Sequence, residues 1–432
     1  MTFGHARILA ALRWRWNIVR KYLTIIPKWG LYGLSGLMPR DPSLWVFGNV
    51  FHDNSKYLYL YVTNHCPQVR AVWMTEDKAT VKKLVSLGLK AVTPWSLRGI
   101  WFGLRAKYYF FTHGVAQLNF WTSRNAVLFN LWHGTPLKKT EWDDDGFLGR
   151  IFRNPTWKDR FIEHPSRYVR SSYVLSSSPY VSEYSRLSAF RVTPDQCVLL
   201  GYPRLDVLAW SREAIRKHLE RIQDTISLAI WEQLLSFKRI VFYLPTFRET
   251  TSVVTDTKTD FLTDCVLPLD RLLGICAQAQ AALLIKPHPL AYTANRRRVM
   301  NLSPECIVMP PDLDLYPFLA ITDILLTDYS SVMFDFMLTR RPIVLYLPDR
   351  DSYLRSCRSF YFPLEEVGIR TLVETPEALC QTIKELLSSE LSQNYTDDSI
   401  LRFNQFQDGN ACQRICDFIF KLESAGIHNR SQ

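Results

Sequence analysis

Several features that mark common classes of protein are missing from this 432-residue sequence. It has no internal repeat, only 17 glycines and an ordinary 23 prolines, which excludes collagen-like, repeat and low-complexity proteins. The motifs GxSxG, HExxH, GxxxxGKS/T and GxGxxG are absent, so hydride transfer, P-loop ATP hydrolysis and zinc-peptidase chemistry lack their residues. With 47% hydrophobic and 22% charged residues the chain is globular, and its length suggests two or three domains.

The sequence also lacks the marks of a secreted or membrane-spanning protein. Its nine cysteines are odd in number, contain no CxxC pair and lie scattered between Cys66 and Cys416, as reduced thiols do. Arg13, Arg15 and Arg20 interrupt any signal-peptide core, and no stretch reaches the roughly 18 uninterrupted apolar residues of a spanning helix. We therefore expect the chain to remain in the cytosol.

Acidic residues are missing from the first 40 positions, which hold seven basic residues against a net charge of +11 for the whole chain. On a helix, Trp16 lies near the apolar face, whereas Arg13, Arg20 and Lys21 lie on the polar side. Such a helix suits an anionic membrane leaflet, so residues 1–40 are predicted to be a membrane-association segment. The alternative is a helix packed on the protein's own core. Nucleic acid is a weaker candidate, because no basic stripe continues through the chain.

From Leu44 onward, short apolar runs alternate with helical patterns, which is typical of parallel βαβ units. Strands are predicted in both halves of the chain, at Leu44–Phe47, Val69–Met74, Tyr108–Phe111, Ala126–Leu131, Tyr173–Leu175, Arg239–Leu244, Ala282–Ile285, Cys306–Val308, Ile324–Leu326 and Ile343–Tyr346. A helical, charge-rich segment separates the halves. The pattern predicts an α/β protein with two doubly wound domains joined by a connector.

Several predicted strands run directly into small or polar residues. In open parallel sheets, ligands bind beyond the carboxyl ends of the strands, at a switch point in the strand order. Because such junctions occur in both halves of the chain, we expect the two domains to face one central cleft.

One junction, Thr327–Ser331, separates an apolar strand from the helical run 332–338. Serines at a helix start, with free backbone N–H groups and the positive end of the dipole, suit phosphate oxygens. Alone, Ser330 or Ser331 would more commonly be an N-cap. Arg248 follows one neighbouring strand, and Lys286 with His288 follows the next. Together these residues favour a phosphate pocket.

The first half offers a candidate base at the end of an apolar strand. His133 stands there, and an imidazole, whose ordinary pKa is near neutrality, is suited to take a proton from an attacking hydroxyl. Gly134 allows a substrate to approach closely. His113 has a similar position with less support. A buried histidine bonded to a carbonyl is the structural alternative.

Asp143 and Asp145 match the Asp-x-Asp pattern with which some nucleotide-sugar enzymes hold a divalent metal. An exposed acidic loop is the better interpretation of this run. No metal site is therefore predicted, and neither a metal nor another cofactor is expected to be essential.

A family resemblance extends over about residues 41 to 420. It rests on motifs that occur in the same order as in the family, namely Trp45–Gly48, Asp53–Leu58, Leu131–Lys139, Gly201–Asp206, Pro245–Arg248, Lys286–Pro289, Thr327–Asp335 and Asp408–Ala411. Through them the chain resembles the CDP-glycerol glycerophosphotransferases of teichoic-acid and capsule synthesis. One small departure is Leu205, where the family's GYPR motif often continues with Asn.

The resemblance implies a GT-B fold and peripheral attachment to the cytoplasmic side of the cell membrane. It implies transfer of glycerol phosphate from CDP-glycerol to a hydroxyl of a membrane-linked glycan or polyol-phosphate acceptor, with release of CMP. The predicted division is a membrane segment at 1–40, an acceptor domain at 41–205, a connector at 206–238, a donor domain at 239–385 and a helical tail at 386–432.

The resemblance also assigns roles to residues. The family's base histidine falls on His133 and its donor-binding histidine on His288, and both are predicted to be catalytic. The predicted donor and phosphate site comprises Arg248, Thr246, Lys286, Asp328, Ser330, Ser331 and Asp335, and the predicted acceptor side comprises His113, Gly134 and Thr135. The alternatives that stay open are a CDP-ribitol donor, a GT-B glycosyltransferase using a sugar nucleotide, and a non-catalytic membrane scaffold.

Overall fold

The computed structural model describes residues 22–48, 50–246, 267–287, 292, 303–356 and 359–426, without the side chains of 147, 148 and 356. Strands β1–β7 of the first half are Asp41–Gly48, Arg70–Met74, Ala91–Val92, Ala106–Phe111, Val127–Asn130, Tyr173–Ser176 and Cys197–Leu199. Strands β8–β13 of the second half are Arg239–Leu244, Ala281–Ile285, Cys306–Val308, Ile324–Thr327, Ile343–Tyr346 and Leu372–Val373.

The strands form two sheets in which every pairing is parallel. The first sheet has the order β3-β2-β1-β4-β5-β6-β7 and the second has the order β10-β9-β8-β11-β12-β13. Each order reverses direction once, between β1 and β4 in the first sheet and between β8 and β11 in the second. These are the switch points at which doubly wound sheets bind ligands.

Helices connect and cover these strands. Their bounds within the described residues are 22–35, Asp53–His65, Lys78–Ser86, Leu97–Arg105, Phe147–Arg153, Pro179–Val181, Leu187–Phe190, Arg212–Arg221, Thr225–Leu234, Leu269–Gln278, Tyr316–Leu319, Val332–Phe336, Arg350–Ser356, Leu364–Val367, Pro376–Ser388, Asp397–Phe403 and Ala411–Ser424. Several begin at a side chain that accepts a hydrogen bond from the first turn, as Asp77, Ser96 and Thr375 do.

The central strands are buried on both faces, which explains their continuous apolar sequences. Along β1, Trp45 and Phe47 pack into one core while Leu44 and Val46 pack into another on the opposite face. This alternation follows from the period of two in a strand. Because helices cover both faces, ligands can approach only the strand ends, and in doubly wound sheets they bind at the carboxyl ends.

The last helix returns to the first half of the molecule. Phe418 of Ala411–Ser424 packs edge-on against Tyr173, with ring centroids 5.2 Å apart, and Glu423 forms an ion pair of 2.7 Å with Lys107. Asp206, at the end of the first half, accepts hydrogen bonds from the backbone nitrogens of Ala411 and Cys412, at 2.8 and 2.9 Å. The last helix of the predicted tail thus packs on the first half, whereas Asn394 and Tyr395, earlier in the tail, bond to Ile343 and Arg341 of the second half.

The predicted membrane segment lies mostly outside the described residues, including Arg13, Trp16, Arg20 and Lys21. In the helix at 22–35, Leu23 and Ile26 are exposed, whereas Trp29 packs against Trp121 with ring centroids 5.4 Å apart. Within the described residues, no helix combines the length and apolar character needed to cross a bilayer.

All ten predicted strands are present, and the prediction of an α/β protein with two doubly wound halves is confirmed. The pattern missed β3, β7 and β13, which have only two or three residues each. The predicted helical run 332–338 is a five-residue α-helix, Val332–Phe336, followed by a 3₁₀ turn, Met337–Thr339. The domain boundaries stay predictions.

Candidate functional site

His133 follows β5 at the carboxyl edge of the first sheet, in a tightly folded backbone. Trp132 has a φ of +50° and Gly134 a φ of +108°, so two left-handed residues flank the histidine. The His133 ring stacks on the His113 ring, with centroids 4.2 Å apart, and lies at a tilt against the Trp132 ring, with centroids 4.1 Å apart. Left-handed conformations of bulky residues cost energy and cluster at functional sites.

The hydrogen bonds of His133 define which ring nitrogen is available as a base. Its Nδ1 lies 3.3 Å from the carbonyl oxygen of Thr112, and a carbonyl oxygen can only accept a hydrogen bond. Nδ1 therefore carries the proton, and the lone pair is on Nε2. The bond to a carbonyl is the one that the structural alternative predicts, and the same tautomer also leaves the lone pair that a general base requires.

His113 is held in the opposite tautomer. The Oε1 atom of Gln117 accepts hydrogen bonds from the backbone nitrogens of Thr112 and His113, so the Gln117 amide donates to Nδ1 of His113 at 3.0 Å. His113 then carries its proton on Nε2. The stacked pair thus presents one acceptor nitrogen and one donor nitrogen.

The surroundings of His133 favour its neutral form. Burial and the neighbouring His113 lower the pKa of His133 to about 3, against an opposing contribution from Asp53. Burial also raises the pKa of Asp53, but Arg204, His133 and His52 hold it below its usual range. At neutral pH the site therefore contains an uncharged imidazole beside an ionised carboxylate.

A buried ion-pair network beside the His133 loop joins the two halves of the molecule. Arg204 donates to Asp53 at 2.9 Å and to Asp335 at 2.6 Å, and Tyr316 donates to the same Asp335 oxygen at 2.7 Å. A Cβ atom on Gly134 would lie 2.0 Å from Arg204. The space that this glycine leaves is therefore filled by Arg204.

Two further contacts connect the halves near this network. Lys56 and Tyr57 each contact the same oxygen of Asp314 at 2.7 Å, in a second buried ionic cluster. Further along the chain from His133, the backbone of Lys139 donates to Ser359 and that of Tyr361 donates to Leu137, both at 2.8 Å. The segment that follows His133 therefore also contacts the second half.

Beneath Gly134 lies a fully buried guanidinium. Arg186 donates through Nη2 to the Gly134 carbonyl and to the Tyr202 hydroxyl, both at 2.6 Å. Its Nη1 and Nε atoms have no hydrogen-bond partner among the described residues. Arg186 thus adds positive charge directly under the loop that carries His133.

The carboxyl edge of the second sheet is arranged differently. Asp328 accepts two bonds from the backbone nitrogen of Thr246, at 2.9 and 3.1 Å, and so ties the ends of β8 and β11 together at the switch point. Lys286 donates to the carbonyl oxygens of Pro310 and Pro311, and burial lowers its pKa to about 8. Ser331 makes no side-chain cap bond at the helix it precedes.

The remaining predicted site residues fall into two groups. Arg248 and His288 lie outside the described residues. Asp335 is buried in the Arg204 network rather than open to a ligand, and Thr135 bonds through its hydroxyl to Ser177 at 3.0 Å. The structure thus gives Gly134, Thr135 and Asp335 structural contacts, and their substrate roles stay predictions.

The Asp-x-Asp run is engaged by protein groups. Asp143 accepts from the hydroxyls of Ser188 and Tyr361, at 2.6 and 2.8 Å, and Asp145 accepts from the backbone of Ser359 at 3.3 Å. In the part of the chain that the structure describes, no group of three or more potential metal ligands occurs.

Three site residues escaped the sequence reasoning as functional candidates: Asp53, Arg186 and Arg204. Asp53 and Arg204 lie inside motifs that carried the resemblance, but their partners are 151 and 131 residues away in sequence. Arg186 had no local signal, because its burial depends on the packing of the segment Ser182–Arg186, a π-helix.

Comparison with known proteins gives consistent results. Residues 35–421 match the family model described as CDP-glycerol:poly(glycerophosphate) glycerophosphotransferase. A teichoic acid glycerol-phosphate transferase of Staphylococcus aureus is 27% identical over 379 residues, covering 87% of this chain and 91% of that protein. A teichoic acid poly(glycerol phosphate) polymerase of Bacillus spizizenii is 25% identical over 391 residues, covering 89% and 92%.

Among solved structures, one of the wall teichoic acid polymerase TagF matches with a TM-score of 0.73 and 24% identity, covering 95% of this chain and 99% of that one. This similarity shows a shared fold. It confirms the GT-B fold that the family resemblance implied, although it does not test the predicted N-terminal helix.

Proposed function

This chain belongs to the CDP-glycerol:poly(glycerophosphate) glycerophosphotransferase family, and from that premise we propose that it transfers glycerol phosphate from CDP-glycerol to a hydroxyl of a membrane-linked acceptor. The observation that carries the proposal is the state of His133. Its Nδ1 is bonded to the Thr112 carbonyl, its Nε2 has no hydrogen-bond partner among the described residues, and its loop lies against Arg204, which is ion-paired with Asp335 in the helix after Ser331.

In the proposed reaction, Nε2 of His133 takes the proton of the acceptor hydroxyl as the hydroxyl oxygen attacks the β-phosphorus of CDP-glycerol. The bond between that phosphorus and the bridging oxygen breaks, and the electron pair leaves with CMP. Such a transfer depends mainly on positioning and on stabilising charge. A neutral base and a phosphate leaving group suit it, because CMP needs little help from a general acid.

The donor site of the proposal lies at the second switch point. Asp328 and Thr246 hold the strand ends there, and Ser330 and Ser331 precede the helix Val332–Phe336. Arg248 and His288 are proposed to bind the diphosphate of the donor, as their motifs in this family imply. Lys286 is proposed to support this site through the Pro310–Pro311 turn rather than by direct contact with phosphate.

The proposal includes peripheral attachment to the cytoplasmic face of the cell membrane. Leu23 and Ile26 are 67% and 76% exposed on the helix at 22–35, and Leu97 and Trp101 are exposed on Leu97–Arg105. Exposed large apolar side chains of this kind insert into the headgroup boundary of a bilayer. Deleting residues 1–30 should then abolish binding to anionic vesicles while leaving CMP release with a soluble acceptor analogue.

A donor-exchange assay tests the proposed activity. The purified protein is incubated with an acceptor analogue and CDP-glycerol, CDP-ribitol or a UDP-sugar, and CMP and UDP are quantified by chromatography. CMP release from CDP-glycerol, retained in the presence of EDTA, is expected. Release from CDP-ribitol alone would reassign the donor, and release of UDP would make the protein a sugar transferase. Calorimetry that detects no binding of CDP-glycerol would favour a non-catalytic scaffold.

A further inference from the structure

A cavity of about 460 Å³ opens beside His113 at the carboxyl edge of the first sheet. Its floor is formed by the ends of β4 and β5, at Phe111 and Asn130, and its far wall by the segment 160–171. His113 lines the cavity, and His133 stacks directly behind His113. One member of the stacked histidine pair therefore lines the cavity, and His133 lies next to that member.

The walls of this cavity are strongly basic. Arg160, Arg167, Arg170 and Arg191 line it, against a single carboxylic acid, Glu141. None of the four arginines forms an ion pair with a carboxylate in the part of the chain that the structure describes. Four exposed guanidinium groups around a cavity with one carboxylic acid favour an anionic ligand.

Aromatic rings hold three of these guanidinium groups. Arg191 lies over the Trp142 ring at 4.1 Å, Arg167 over Phe152 at 5.5 Å and Arg160 over Tyr168 at 5.6 Å. Stacking orients a guanidinium without using its in-plane N–H donors. These ring contacts leave the in-plane N–H donors available for phosphate oxygens, which an arginine can bind in the bidentate manner.

Two of the lining residues adopt an unusual backbone conformation. Glu141 has a φ of +53° and Arg191 a φ of +52°, both in the left-handed region that favours glycine. Burial raises the pKa of Glu141 to about 7, with Arg167 acting in the opposite direction. Because Glu141 is partly protonated at neutral pH, it opposes an incoming anion less than an ordinary carboxylate would.

We propose that this cavity binds a phosphate group of the acceptor, and that the acceptor hydroxyl extends from there past His113 to Nε2 of His133. The inference rests on the proposed glycerophosphotransferase function and identifies the part of the acceptor that is recognised. The phosphate belongs either to a glycerol phosphate unit or to the diphosphate of a lipid carrier. The donor diphosphate is assigned to the second switch point, across the cleft.

Steady-state kinetics with a soluble acceptor tests this proposal. Arg167→Gln and Arg191→Gln remove one guanidinium each, and Arg212→Gln is the matched control, since Arg212 is an exposed arginine that does not line the cavity. Each cavity variant should raise the KM for an acceptor bearing a phosphate roughly tenfold or more, as loss of a charged hydrogen bond does. The KM for CDP-glycerol should change by less than about twofold.

Two acceptor analogues distinguish the sources of the phosphate. One carries a single glycerol phosphate unit and no diphosphate, and the other carries a diphosphate and no glycerol phosphate. The analogue whose KM responds to the substitutions identifies the group bound. An equal rise in the KM for CDP-glycerol, or no change for either analogue, would overturn the proposal.

A binding measurement separates failure of this inference from failure of the proposed function. Calorimetry with a glycerol–phosphate–glycerol diester, in the absence of CDP-glycerol, needs no turnover. The wild type and Arg212→Gln should bind this diester with similar affinity, and Arg167→Gln/Arg191→Gln should bind at least about tenfold more weakly. If binding is lost as expected while CDP-glycerol yields no CMP, the cavity assignment stands and only the donor assignment fails. Equal binding by all three proteins refutes the cavity site.

Discussion

The carboxyl edges of the two sheets carry similar polar residues in sequence but use them differently. At the first edge, His113 and His133 have their Nδ1 atoms hydrogen-bonded and their Nε2 atoms unbonded within the described residues. At the second edge, Asp328 is bonded to the Thr246 backbone and Lys286 to the Pro310 and Pro311 carbonyls. The hydrogen-bond partners of a polar residue at a strand end therefore decide whether it can act on a substrate or only stabilises the fold.

The two edges therefore differ in function: one carries groups that can react, and the other carries groups that stabilise the fold around the site. The first edge keeps a proton acceptor next to an arginine-lined cavity, whereas the described charged residues of the second edge stabilise loops. Between the edges, the Asp53–Arg204–Asp335 network holds the two halves together. Substitutions at the first edge should therefore have a large effect on kcat, and substitutions in the network a large effect on the free energy of unfolding. Substitution of Lys286 should have only a small effect on the KM for CDP-glycerol.

The largest effect on turnover is expected at the first edge. His133→Ala removes the proton acceptor and should lower kcat by roughly 10²- to 10⁴-fold, the usual contribution of a general base. Rapid quench measurement of CMP release checks the rate, and calorimetry should show the affinity for CDP-glycerol within about threefold of wild type. Wild-type turnover by His133→Ala at neutral pH would remove His133 from the mechanism.

The largest effect on stability is expected at the network between the edges. Arg204→Met leaves two buried carboxylates unpaired, so the free energy of unfolding should fall by about 3–5 kcal/mol in urea titrations. Arg216→Met is the control, because Arg216 and Glu220 are each about half exposed and such pairs contribute about 0–1 kcal/mol. Similar losses in both variants would show that the Arg204 network does not hold the halves together.

A smaller effect is expected where a second-edge carboxylate holds a backbone group. Asp328→Ala frees the Thr246 N–H, which should lower the free energy of unfolding by about 1–3 kcal/mol. Since the β8 and β11 ends lose their connection, the KM for CDP-glycerol should rise while the KM for the acceptor stays constant. A rise in the acceptor KM alone would contradict the assignment of this edge to the donor.

The smallest effect is expected for Lys286. Lys286→Met keeps the volume of the side chain and removes an ammonium group that already bonds to two carbonyl oxygens. The KM for CDP-glycerol should therefore change by less than about threefold, as bonds made within the protein are not bonds to substrate. A tenfold rise in this KM would show that Lys286 contacts the donor phosphate, and that charged residues at both edges bind substrate.

The sequence predicted the sheets better than it predicted the contacts. Runs such as Arg239–Leu244 and Ile343–Tyr346 are long and apolar enough to identify buried parallel strands, and the structure has both with those bounds. Strands such as β3, Ala91–Val92, are defined by their neighbours rather than by their own two residues. The local sequence pattern therefore identifies the central strands, whereas the short strands at the margins of a sheet depend on pairing with their neighbours.

The site shows the same division. His133 and Asp328 could be selected because each follows an apolar strand directly. Arg204 could be placed in a motif, but its pairing with Asp335 joins residues 131 apart in sequence, and no period reveals such a contact. The arginines of the cavity come largely from segment 160–171, which consists of short π and 3₁₀ turns without periodic signal.

The central claim is that His133 is a neutral imidazole with its lone pair on Nε2. The most direct measurement is a pH titration of the histidine ¹⁵N resonances in the labelled protein, with His133→Asn used to assign the signal. Because burial lowers the pKa of His133 to about 3, against about 6.5 for an ordinary histidine, the signal should show protonated Nδ1 and bare Nε2 from pH 8 down to about pH 5. A signal that titrates between pH 6 and 7, or that reports a proton on Nε2, would contradict the account.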